Sequence, residues 1–437
     1  MTKRKLFGTD GVRGEAGTFL TAELATALGQ ATTRSLEAER PQVLIVRDTR
    51  ESGPMLEAAL AAGIAAAGGD ALLAGVLPTP AAAILVRRLG LDLAAVVSAS
   101  HNPYGDNGIK FFDARGTKLA DEVEAEIEAR MDEAPPAARP GHIRELNGGL
   151  EDYLRELQAS FPLDLSGRRV VLDCANGATF RAAPAIFERL GAEVETIGVE
   201  PDGRNINAGC GSTHMEALAE RVAGSEAEIG FAFDGDGDRV LAVDGSGQVH
   251  DGDELIALAA RGMKSRDELD GGVVVTVMSN FGFHQAMEEA GVEVAVTQVG
   301  DRYVIDEMLR RDWKLGGEQS GHIICSDFAS TGDGIAAALT TMRELGGAAG
   351  LEQAAPMRKL PQVLINVQVA DREAVQEAAA VWEEVEREGE ALEGRGRVLL
   401  RPSGTEPLVR VMVEAPSDEE AEEIAERLAA AVRRELA

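Results

Sequence analysis

The sequence predicts three similar α/β domains with mixed sheets, followed by a smaller C-terminal α+β domain. The chain has 437 residues, which exceeds the roughly 250–300 residues that a single hydrophobic core can organise. Apolar β-branched runs alternate with helical stretches through most of the chain, as in sheets covered by helices. After Pro361 this alternation gives way to the pattern of a small antiparallel sheet with helices.

The prediction of three similar domains depends on a recurring opening. VLIVRDTRES (Val43 to Ser52), VVLDCANGAT (Val170 to Thr179) and VVVTVMSNFG (Val273 to Gly282) each run from apolar residues into polar or turn residues and then into a helical stretch. Three such openings predict three domains of about one hundred residues or somewhat more.

The domain limits follow from composition. The segment from Met131 to Gly149 is rich in Pro and turn formers and is the clearest linker. A hairpin turn at Asp244 to Gly247 and the segment from Met357 to Pro361 indicate two further boundaries. The predicted domains are residues 1–148, 149–248, 249–361 and 362–437.

The last domain is predicted element by element. VLINVQVA, GRVLLRP and LVRVMVEA are expected to form strands, with a loop at SGTEP. Helices are expected from Asp371 to Gly389 and from Ser417 to Leu436, the second with a Ser-Asp-Glu-Glu capping signature. This order predicts an antiparallel sheet with two helices.

Charge and composition limit the function classes. The chain is 45% hydrophobic and 27% charged, as in ordinary globular proteins, and its formal charge is −31. This charge argues against nucleic acid as a partner, because nucleic-acid binding needs a basic surface. An anionic substrate would need a local cluster of Arg and Lys to reverse the average field.

Sequence features also predict a cytoplasmic location. The start MTKRKLFGTDG lacks the apolar run of a secretory signal. The weakly polar stretch from Ala58 to Val86 contains Asp70, Pro78 and Pro80, so no membrane span is expected. The cysteines lie far apart without a CxxC pair, which predicts reduced thiols rather than disulfides or a zinc site.

A first polar loop contains a candidate nucleophile. The predicted strand from Leu93 to Val97 leads into Ser98, Ala99 and Ser100, with His101 adjacent and Lys110 nearby. Because Ser98 and Asn102 occupy the positions of the two glycines in G-x-S-x-G, an acyl-transfer elbow is disfavoured. The Ser100 hydroxyl is suited to accept and return a phosphoryl group. A polar turn without chemistry remains an equal alternative.

A second loop, FAFDGDGDRV, predicts a metal site. Asp234, Asp236 and Asp238 alternate with glycines, and such close carboxylates repel one another unless a cation lies between them. An oxygen-only ligand set suits Mg²⁺, whereas an EF-hand would need Gly and Glu where Arg239 and Gly245 stand. A phosphatase that uses Asp234 as nucleophile remains open, as does a solvated acidic turn.

Two further loops suit a phosphosugar. In GEQSGH, the side chains of Glu318, Ser320 and His322 are expected to face one cavity and to match sugar hydroxyls. A hairpin without a ligand is the alternative.

The loop RPSGTEPLVR offers a phosphate cradle of backbone amides, hydroxyls and guanidinium groups. Its candidate residues are Arg401, Ser403, Gly404, Thr405 and Arg410. Together with Arg13, Lys110, Arg239 and Arg302, these arginines supply the cations that an anionic substrate needs. For each arginine alone, a surface ion pair is the commoner role.

These loops together resemble one family. FGTDGVRG, SASHNPYGDNGIKFF, DGDGDR, GEQSGH and RPSGTEPLVRV occur in the order and at the spacing of the α-D-phosphohexomutase superfamily, most similarly to its bacterial phosphoglucosamine mutases. Gly105 and Ser330 depart from the usual family pattern without affecting a proposed ligand. The resemblance extends from end to end and implies three α/β domains and a smaller C-terminal domain that closes over the substrate.

The resemblance also implies roles for individual residues. Ser100 would be the phosphoserine and would share Mg²⁺ with Asp234, Asp236 and Asp238. Arg13, His101, Lys110 and Arg239 would line the reacting centre, and Arg302 is a further candidate. Glu318, Ser320 and His322 would bind or adjoin the sugar, and Arg401, Ser403, Gly404, Thr405 and Arg410 would bind the non-reacting phosphate.

The implied reaction interconverts glucosamine 6-phosphate and glucosamine 1-phosphate through a bound glucosamine 1,6-bisphosphate. Its product would feed the synthesis of UDP-N-acetylglucosamine. The choice of glucosamine rests on FGTDGVRG and Gln319, so a phosphomannomutase or phosphoglucomutase remains the alternative. Lys110 or His101 would handle the proton, with the pKa of Lys110 lowered among neighbouring cations. A non-catalytic sugar-phosphate binder is a further alternative, and a monomer or a homodimer is expected.

Overall fold

The computed structural model describes residues 6–8, 10–132, 139–346, 350–354, 356–403 and 407–436. By its internal contacts the chain forms two compact units. The first contains residues 1–278 and 292–356, and the second contains residues 279–291 and 357–437.

The first sheet of the first unit has six strands in the order β1-β5-β4-β2-β3-β6. Its elements are β1 Val12–Glu15, α1 Ala22–Ser35, β2 Gln42–Arg47, α2 Gly53–Ala66, β3 Asp70–Val76, α3 Thr79–Arg88, β4 Leu93–Val97, β5 Asp106–Asp113, α4 Asp121–Arg130 and β6 Ile143–Glu145. Strands β2, β3, β4 and β6 pair in parallel, whereas β5 runs antiparallel to β1 and β4. The sheet is therefore mixed.

The second sheet has five strands in the order β11-β10-β9-β7-β8. Its elements are α5 Gly149–Ser160, β7 Arg169–Asp173, α6 Ala182–Arg189, β8 Glu193–Ile197, α7 Glu216–Ala223, β9 Ile229–Phe233, β10 Val240–Asp244 and β11 Val249–His250. Strand β7 is parallel to β8 and β9, and β10 is antiparallel to β9 and β11. The hairpin predicted at Asp244 to Gly247 joins β10 to β11.

The third sheet has four strands in the order β13-β12-β14-β15. Its elements are α8 Gly252–Ser265, β12 Gly272–Thr276, α9 Phe281–Glu289, β13 Glu293–Thr297, α10 Asp301–Arg311, β14 Leu315–Gly317, β15 Ile323–Cys325, α11 Gly334–Leu345 and α12 Leu351–Ala354. Strand β12 is parallel to β13 and β14, and β15 is antiparallel to β14. Helix α9 belongs to the second unit.

The three openings predicted as similar share a local hydrogen bond. At the carboxyl end of β2, β7 and β12, a polar side chain accepts a hydrogen bond from the amide two residues later. The three pairs are Asp48 with Arg50, Asp173 with Ala175, and Thr276 with Met278. Asx and ST turns of this kind let a buried strand end in a tight polar turn.

The second unit is built around a three-stranded antiparallel sheet in the order β16-β18-β17. Its further elements are β16 Gln362–Gln368, a 3₁₀ helix Glu373–Glu377, α13 Ala379–Ala391, β17 Arg397–Pro402, β18 Leu408–Glu414 and α14 Asp418–Leu436. The predicted helix from Asp371 to Gly389 is split into the 3₁₀ helix and α13. As predicted, Ser417 caps α14, since its Oγ accepts the amide of Glu420.

Helix α9 is held in the second unit by a fully buried carboxylate on β18. Glu414 accepts the amide of Phe281 at 2.8 Å. It also accepts the Nε of Arg397 at 2.8 Å. A helix N-terminus favours a negative charge, and the arginine compensates that charge.

The predicted fold class is confirmed: three α/β sheets of mixed direction are followed by a smaller antiparallel α+β unit. The four domain limits remain a prediction. The strands of the four sheets lie within residues 12–145, 169–250, 272–325 and 362–414. Among the described helices, none has the length and apolar character that crossing a membrane requires.

Candidate active site

Ser100 lies in the loop between β4 and β5 and is 2% exposed. Its Oγ donates to Oδ2 of Asp234 at 2.5 Å, and Nδ1 of His101 lies 3.3 Å from the same oxygen. Burial, with Arg239 and Arg13 nearby, lowers the pKa of His101. The first two predicted loops therefore meet at the Ser100 hydroxyl.

The three aspartates occupy the turn between β9 and β10, and all three are buried. One carboxylate oxygen from each of Asp234, Asp236 and Asp238 lies within 4.8 Å of the other two. The turn that the sequence predicts as a metal loop (residues 234–239) thus brings three carboxylate oxygens close together.

The electrostatics of this turn fit a bound cation. Burial, together with the charges of Asp238 and Asp236, raises the pKa of Asp234 well above its ordinary value. Within the described part of the chain, the buried Oδ1 atoms of Asp236 and Asp238 have no hydrogen-bond partner. Buried oxygens of this kind normally have a partner, and hard divalent cations such as Mg²⁺ prefer carboxylate oxygens.

Lys110 is surrounded by carboxylates, so the expectation of cationic neighbours that lower its pKa is wrong. Its Nζ donates to Oδ2 of Asp236 at 2.8 Å and lies 3.7 Å from both Asp10 and Asp238. Burial alone would lower the pKa of Lys110, but the three carboxylates outweigh burial and raise it. Lys110 therefore remains charged at neutral pH.

Replacement of this lysine is expected to destabilise the protein. Lys110→Met leaves buried carboxylates without their cation, and breaking a buried ion pair costs about 3–5 kcal/mol. The midpoint of thermal unfolding should fall, and Mg²⁺ should raise it more in the variant than in the wild type. Lys314→Met is the control, because its pairs with Asp270 and Asp327 are partly exposed. Equal midpoints for both variants would contradict this view of Lys110.

Two predicted arginines, Arg13 and Arg239, lie close enough to His101 to affect its pKa. Arg13 on β1 pairs with Asp10, and its buried Nε has no hydrogen-bond partner among the described residues. Arg239 follows the metal loop with Nε 3.8 Å from Oδ1 of Asp238. Burial would lower the pKa of Arg239, but Asp238, Asp234 and other carboxylates raise it. Each guanidinium group therefore lies beside a carboxylate at the edge of the metal loop or of β1.

Arg302 has a different environment from the one expected. Its guanidinium donates to the carbonyl of Leu119 at 2.8 Å and pairs with Asp121 and Glu124 on α4. The structure therefore shows Arg302 as a contact between α10 and α4.

Sequence reasoning missed several polar side chains of this site. Thr79, at the start of α3, donates its hydroxyl to Oδ2 of Asp236 at 2.6 Å. The Nζ of Lys118 donates to both Asp10 and Asp301. Thr79 is 157 residues from Asp236, and Lys118 is 108 and 183 residues from its two partners, so the sequence around each residue carries no motif.

The predicted sugar loop joins β14 to β15, and its three candidate residues have different environments. Glu318 accepts the amide of Gly300 at 3.0 Å, and Ser320 is exposed. His322 is 2% exposed, and its Nε2 accepts the amide of Gly332 while Nδ1 lies 3.6 Å from Asp238. The ring of His322 packs beside the metal loop, and the expectation that all three side chains face one cavity stays a prediction.

A buried cluster of acids and one histidine lies beside the sugar loop. Asp251 caps α8 and accepts the side-chain amide of Gln319 at 3.1 Å. The adjacent His250 bonds to Glu254 at 2.8 Å and to Asp244 at 3.0 Å. Burial would lower the pKa of His250, but the hydrogen bonds to Glu254 and Asp244 raise it.

This cluster predicts a pH-dependent stability. Because the folded pKa of His250 is raised, its contribution should be complete below about pH 6.5, the ordinary histidine value. It should be lost as the pH rises through the folded pKa. The difference in urea midpoint between wild type and His250→Gln should therefore shrink with rising pH. The exposed His214→Gln serves as control, and parallel pH profiles for wild type and His250→Gln would contradict the prediction.

The predicted phosphate residues that the structure describes lie in the second unit. Arg401 on β17 stands opposite Arg410 on β18, and Ser403 is buried. Burial and the charge of Arg410 lower the pKa of Arg401. Two guanidinium groups side by side repel each other, and an anion would relieve this repulsion. Gly404 and Thr405 lie outside the described residues.

Comparison with known proteins finds close relatives over nearly the whole chain. A protein named phosphoglucosamine mutase from Pelotomaculum thermopropionicum is 51% identical over 97% of this chain and 98% of its own length. A protein of the same name from Staphylococcus aureus is 47% identical over 98% of both chains.

Solved structures share the fold. A phosphoglucomutase/phosphomannomutase family protein from Burkholderia thailandensis superposes with a TM-score of 0.84 at 26% identity, covering 99% of this chain and 98% of that one. An Aspergillus fumigatus N-acetylphosphoglucosamine mutase, solved with GlcNAc-6P and magnesium, has a TM-score of 0.69 at 20% identity, covering 99% of this chain and 96% of that one. At this lower identity the likeness concerns the fold alone.

Models of all four domains of one family match the chain in order. They describe phosphoglucomutase/phosphomannomutase α/β/α domains I, II and III and the C-terminal domain, and they match residues 4–137, 151–247, 251–359 and 364–431. The chain therefore belongs to the phosphoglucomutase/phosphomannomutase family of phosphohexomutase enzymes, as its five sequence motifs indicate.

Proposed function

We propose that the protein interconverts glucosamine 6-phosphate and glucosamine 1-phosphate, with phosphorylated Ser100 as the group that gives and regains the phosphoryl. The observation that carries this proposal is the contact of 2.5 Å between Ser100 Oγ and Asp234. It places a buried hydroxyl beside three carboxylates that fit a cation. Phosphoryl transfer needs this pairing of an oxygen nucleophile with concentrated positive charge.

The choice of glucosamine is supported by the names of relatives that share 47–51% of their residues with this chain. This similarity extends over 97–98% of this chain. Gln319, one basis for the choice, bonds to Asp251. Mannose or glucose phosphate is the alternative substrate.

The reaction would proceed in two balanced transfers. In the first, the bond between phosphorus and Ser100 Oγ breaks and a bond to the C1 oxygen of glucosamine 6-phosphate forms, giving glucosamine 1,6-bisphosphate. The proton leaves the C1 hydroxyl and ends on Ser100 Oγ. In the second, the bond between phosphorus and the C6 oxygen breaks and a bond to Ser100 Oγ forms, while the proton on Ser100 Oγ moves to the C6 oxygen, giving glucosamine 1-phosphate.

Side chains around Ser100 have separate tasks in this proposal. Asp234, Asp236 and Asp238, with an oxygen of phosphorylated Ser100, would hold Mg²⁺, which when bound offsets charge on the transferring group. Arg13, Arg239 and Lys110 supply fixed positive charge to the same group. His101, with Nδ1 at 3.3 Å from Ser100 Oγ, is placed to exchange the proton.

Other residues would bind the remainder of the substrate. Glu318 and Ser320 offer an acceptor and a hydroxyl to the sugar, and His322 supports the site from its buried position beside Asp238. Arg401, Ser403 and Arg410, together with Gly404 and Thr405, would bind the non-reacting phosphate through charge-assisted hydrogen bonds. A cytoplasmic location remains a prediction.

The test begins with wild-type protein that has been incubated with a hexose 1,6-bisphosphate and Mg²⁺. Intact mass spectrometry should show one added phosphate, and peptide mapping should place it on Ser100. Coupled assays with glucosamine 1-phosphate, glucose 1-phosphate and mannose 1-phosphate should then show the highest kcat/KM for glucosamine. Equal turnover of all three would contradict the glucosamine assignment, and no phosphate on Ser100 would contradict the mechanism.

A further inference from the structure

A buried ion pair contacts the loop that carries Ser100, here called the serine loop (residues 98–106). The pair lies outside the five sequence motifs. Asp48 and Arg50 follow β2, and their side chains are 0% exposed, with Nε of Arg50 2.8 Å from Oδ2 of Asp48. Burial raises the pKa of Asp48 despite the opposing effect of Arg50. A buried pair of this kind is weak evidence for stabilisation, because desolvation of both charges offsets their attraction. Its other contacts indicate a different role.

Every N–H group of the Arg50 guanidinium is used within the protein. A guanidinium carries five N–H donors in a planar fork. Nε bonds to Asp48, and the other four bond to backbone carbonyls of the serine loop. These carbonyls belong to Ser100 at 2.9 Å, Asn102 at 2.8 Å, Asp106 at 2.9 Å and Pro103. Arg50 therefore has no donor left for a substrate, but it fixes four points of one loop.

The ion pair also reaches the amide of Ser100. The Ser100 amide donates to Oγ of Ser98 at 3.0 Å, and this hydroxyl donates to Oδ2 of Asp48 at 2.6 Å. The carbonyl of Ser100 accepts Nη2 of Arg50 and Nδ2 of Asn207, both at 2.9 Å. Both backbone polar groups of Ser100 are thus tied to the same pair.

This double attachment coincides with an unfavourable backbone conformation. Ser100 has a φ of 52°, in the left-handed region that residues other than glycine avoid. Such a conformation persists when surrounding contacts over-determine it, and it often serves a functional site. Here it directs Oγ to Asp234, the contact on which phosphoryl transfer would depend.

We propose that Arg50, neutralised by Asp48, is a positioning residue for phosphoryl transfer. It holds Ser100 in the left-handed conformation that presents Oγ to the three carboxylates of the metal loop. This inference rests on the proposed function. Because Arg50 is buried and fully bonded within the protein, its loss should affect the transfer step and not substrate binding. A misplacement of a reacting atom by about 1 Å can cost on the order of 10²-fold in rate.

The test compares Arg50→Lys with Arg47→Lys. Lysine keeps the charge that Asp48 needs but offers three donors from a single nitrogen, so it cannot replace the planar fork. We expect kcat of Arg50→Lys to fall by about 10- to 100-fold with KM changed less than about 2-fold, whereas Arg47→Lys keeps both. Arg47 lies on the same β2 strand, and its partly exposed side chain pairs with the buried Glu57. An unchanged kcat, or a raised KM with unchanged kcat, would overturn the inference.

A second variant covers the case in which Arg50→Lys does not fold. Ser98→Ala removes the other attachment of Ser100 and should also lower kcat with little change in KM, while Ser98→Thr, which keeps the hydroxyl, should recover part of the loss. Hydrogen exchange of the amides in residues 98–106 should be faster in Ser98→Ala than in wild type. If the wild-type protein showed no mutase turnover, the proposed function would be refuted. If hydrogen exchange of these amides were unchanged in Ser98→Ala, the positioning role would be refuted independently.

Discussion

Ser100→Ala is expected to abolish covalent phosphate on the protein and to lower kcat by at least about 10⁴-fold, as removal of the nucleophile does in other enzymes with covalent intermediates. The reason is the position of its hydroxyl, which is the oxygen in contact with Asp234 and His101. Incorporation of phosphate from a labelled bisphosphate, followed by mutase turnover, measures both effects. The thermal midpoint should change little, since the substitution removes one oxygen.

The same experiment separates the mutase from an aspartyl phosphatase. A phosphatase would carry its phosphate on Asp234 as an acyl phosphate, which hydroxylamine cleaves, whereas phosphoserine resists hydroxylamine. Label that persists in Ser100→Ala and is lost in Asp234→Asn would contradict the mutase mechanism. A non-catalytic binder would incorporate no label in either the wild type or the variants.

Gly235→Ala is expected to lower kcat by about 100-fold, the effect of misplacing a reactive group by about 1 Å. Gly235 lies between two proposed metal ligands, and a Cβ there would be 2.5 Å from the carbonyl oxygen of Ser100 and 2.7 Å from Nδ2 of Asn207. No real Cβ tolerates such distances, so the metal loop must move away from Ser100. Its affinity for Mg²⁺, measured by calorimetry, should weaken as well.

Gly105→Ala is the matched control for Gly235→Ala. Gly105 lies in the serine loop, and a Cβ there would meet nothing within 4 Å. This variant should keep wild-type kcat and Mg²⁺ affinity. If Gly235→Ala also retained both, close approach of the two loops would not matter for activity.

The sequence was sufficient for features that are local in the chain. The serine loop, the metal loop and the sugar loop each consist of neighbouring residues after a strand, so their spacing reveals their chemistry. The strand from Leu93 to Val97 and the cap at Ser417 were predictable for the same reason. Resemblance to a family then indicated that the separate loops serve one reaction.

Features that depend on residues distant in sequence were not predictable in this way. Lys110 lies between Asp10 and Asp236, which are 100 and 126 residues away, so the sign of its pKa shift required the structure. Arg50 bonds to backbone carbonyl groups. Because every residue has one, the residue types in the sequence do not reveal which carbonyls Arg50 will bind. His322 alternates with Ser320 along the chain, yet its ring is buried beside Asp238.

The assignment of α9 to the second unit affects how this enzyme could be divided or recombined. A C-terminal fragment that begins at Met357 would lack residues 279–291, although these belong to the same compact unit. Glu414 would then lose the amide of Phe281 and part of its cover. Exchange of C-terminal modules between related mutases should therefore transfer two separate stretches of the gene. A single crossover near residue 357 would combine residues 279–291 of one protein with residues 357–437 of another in one compact unit.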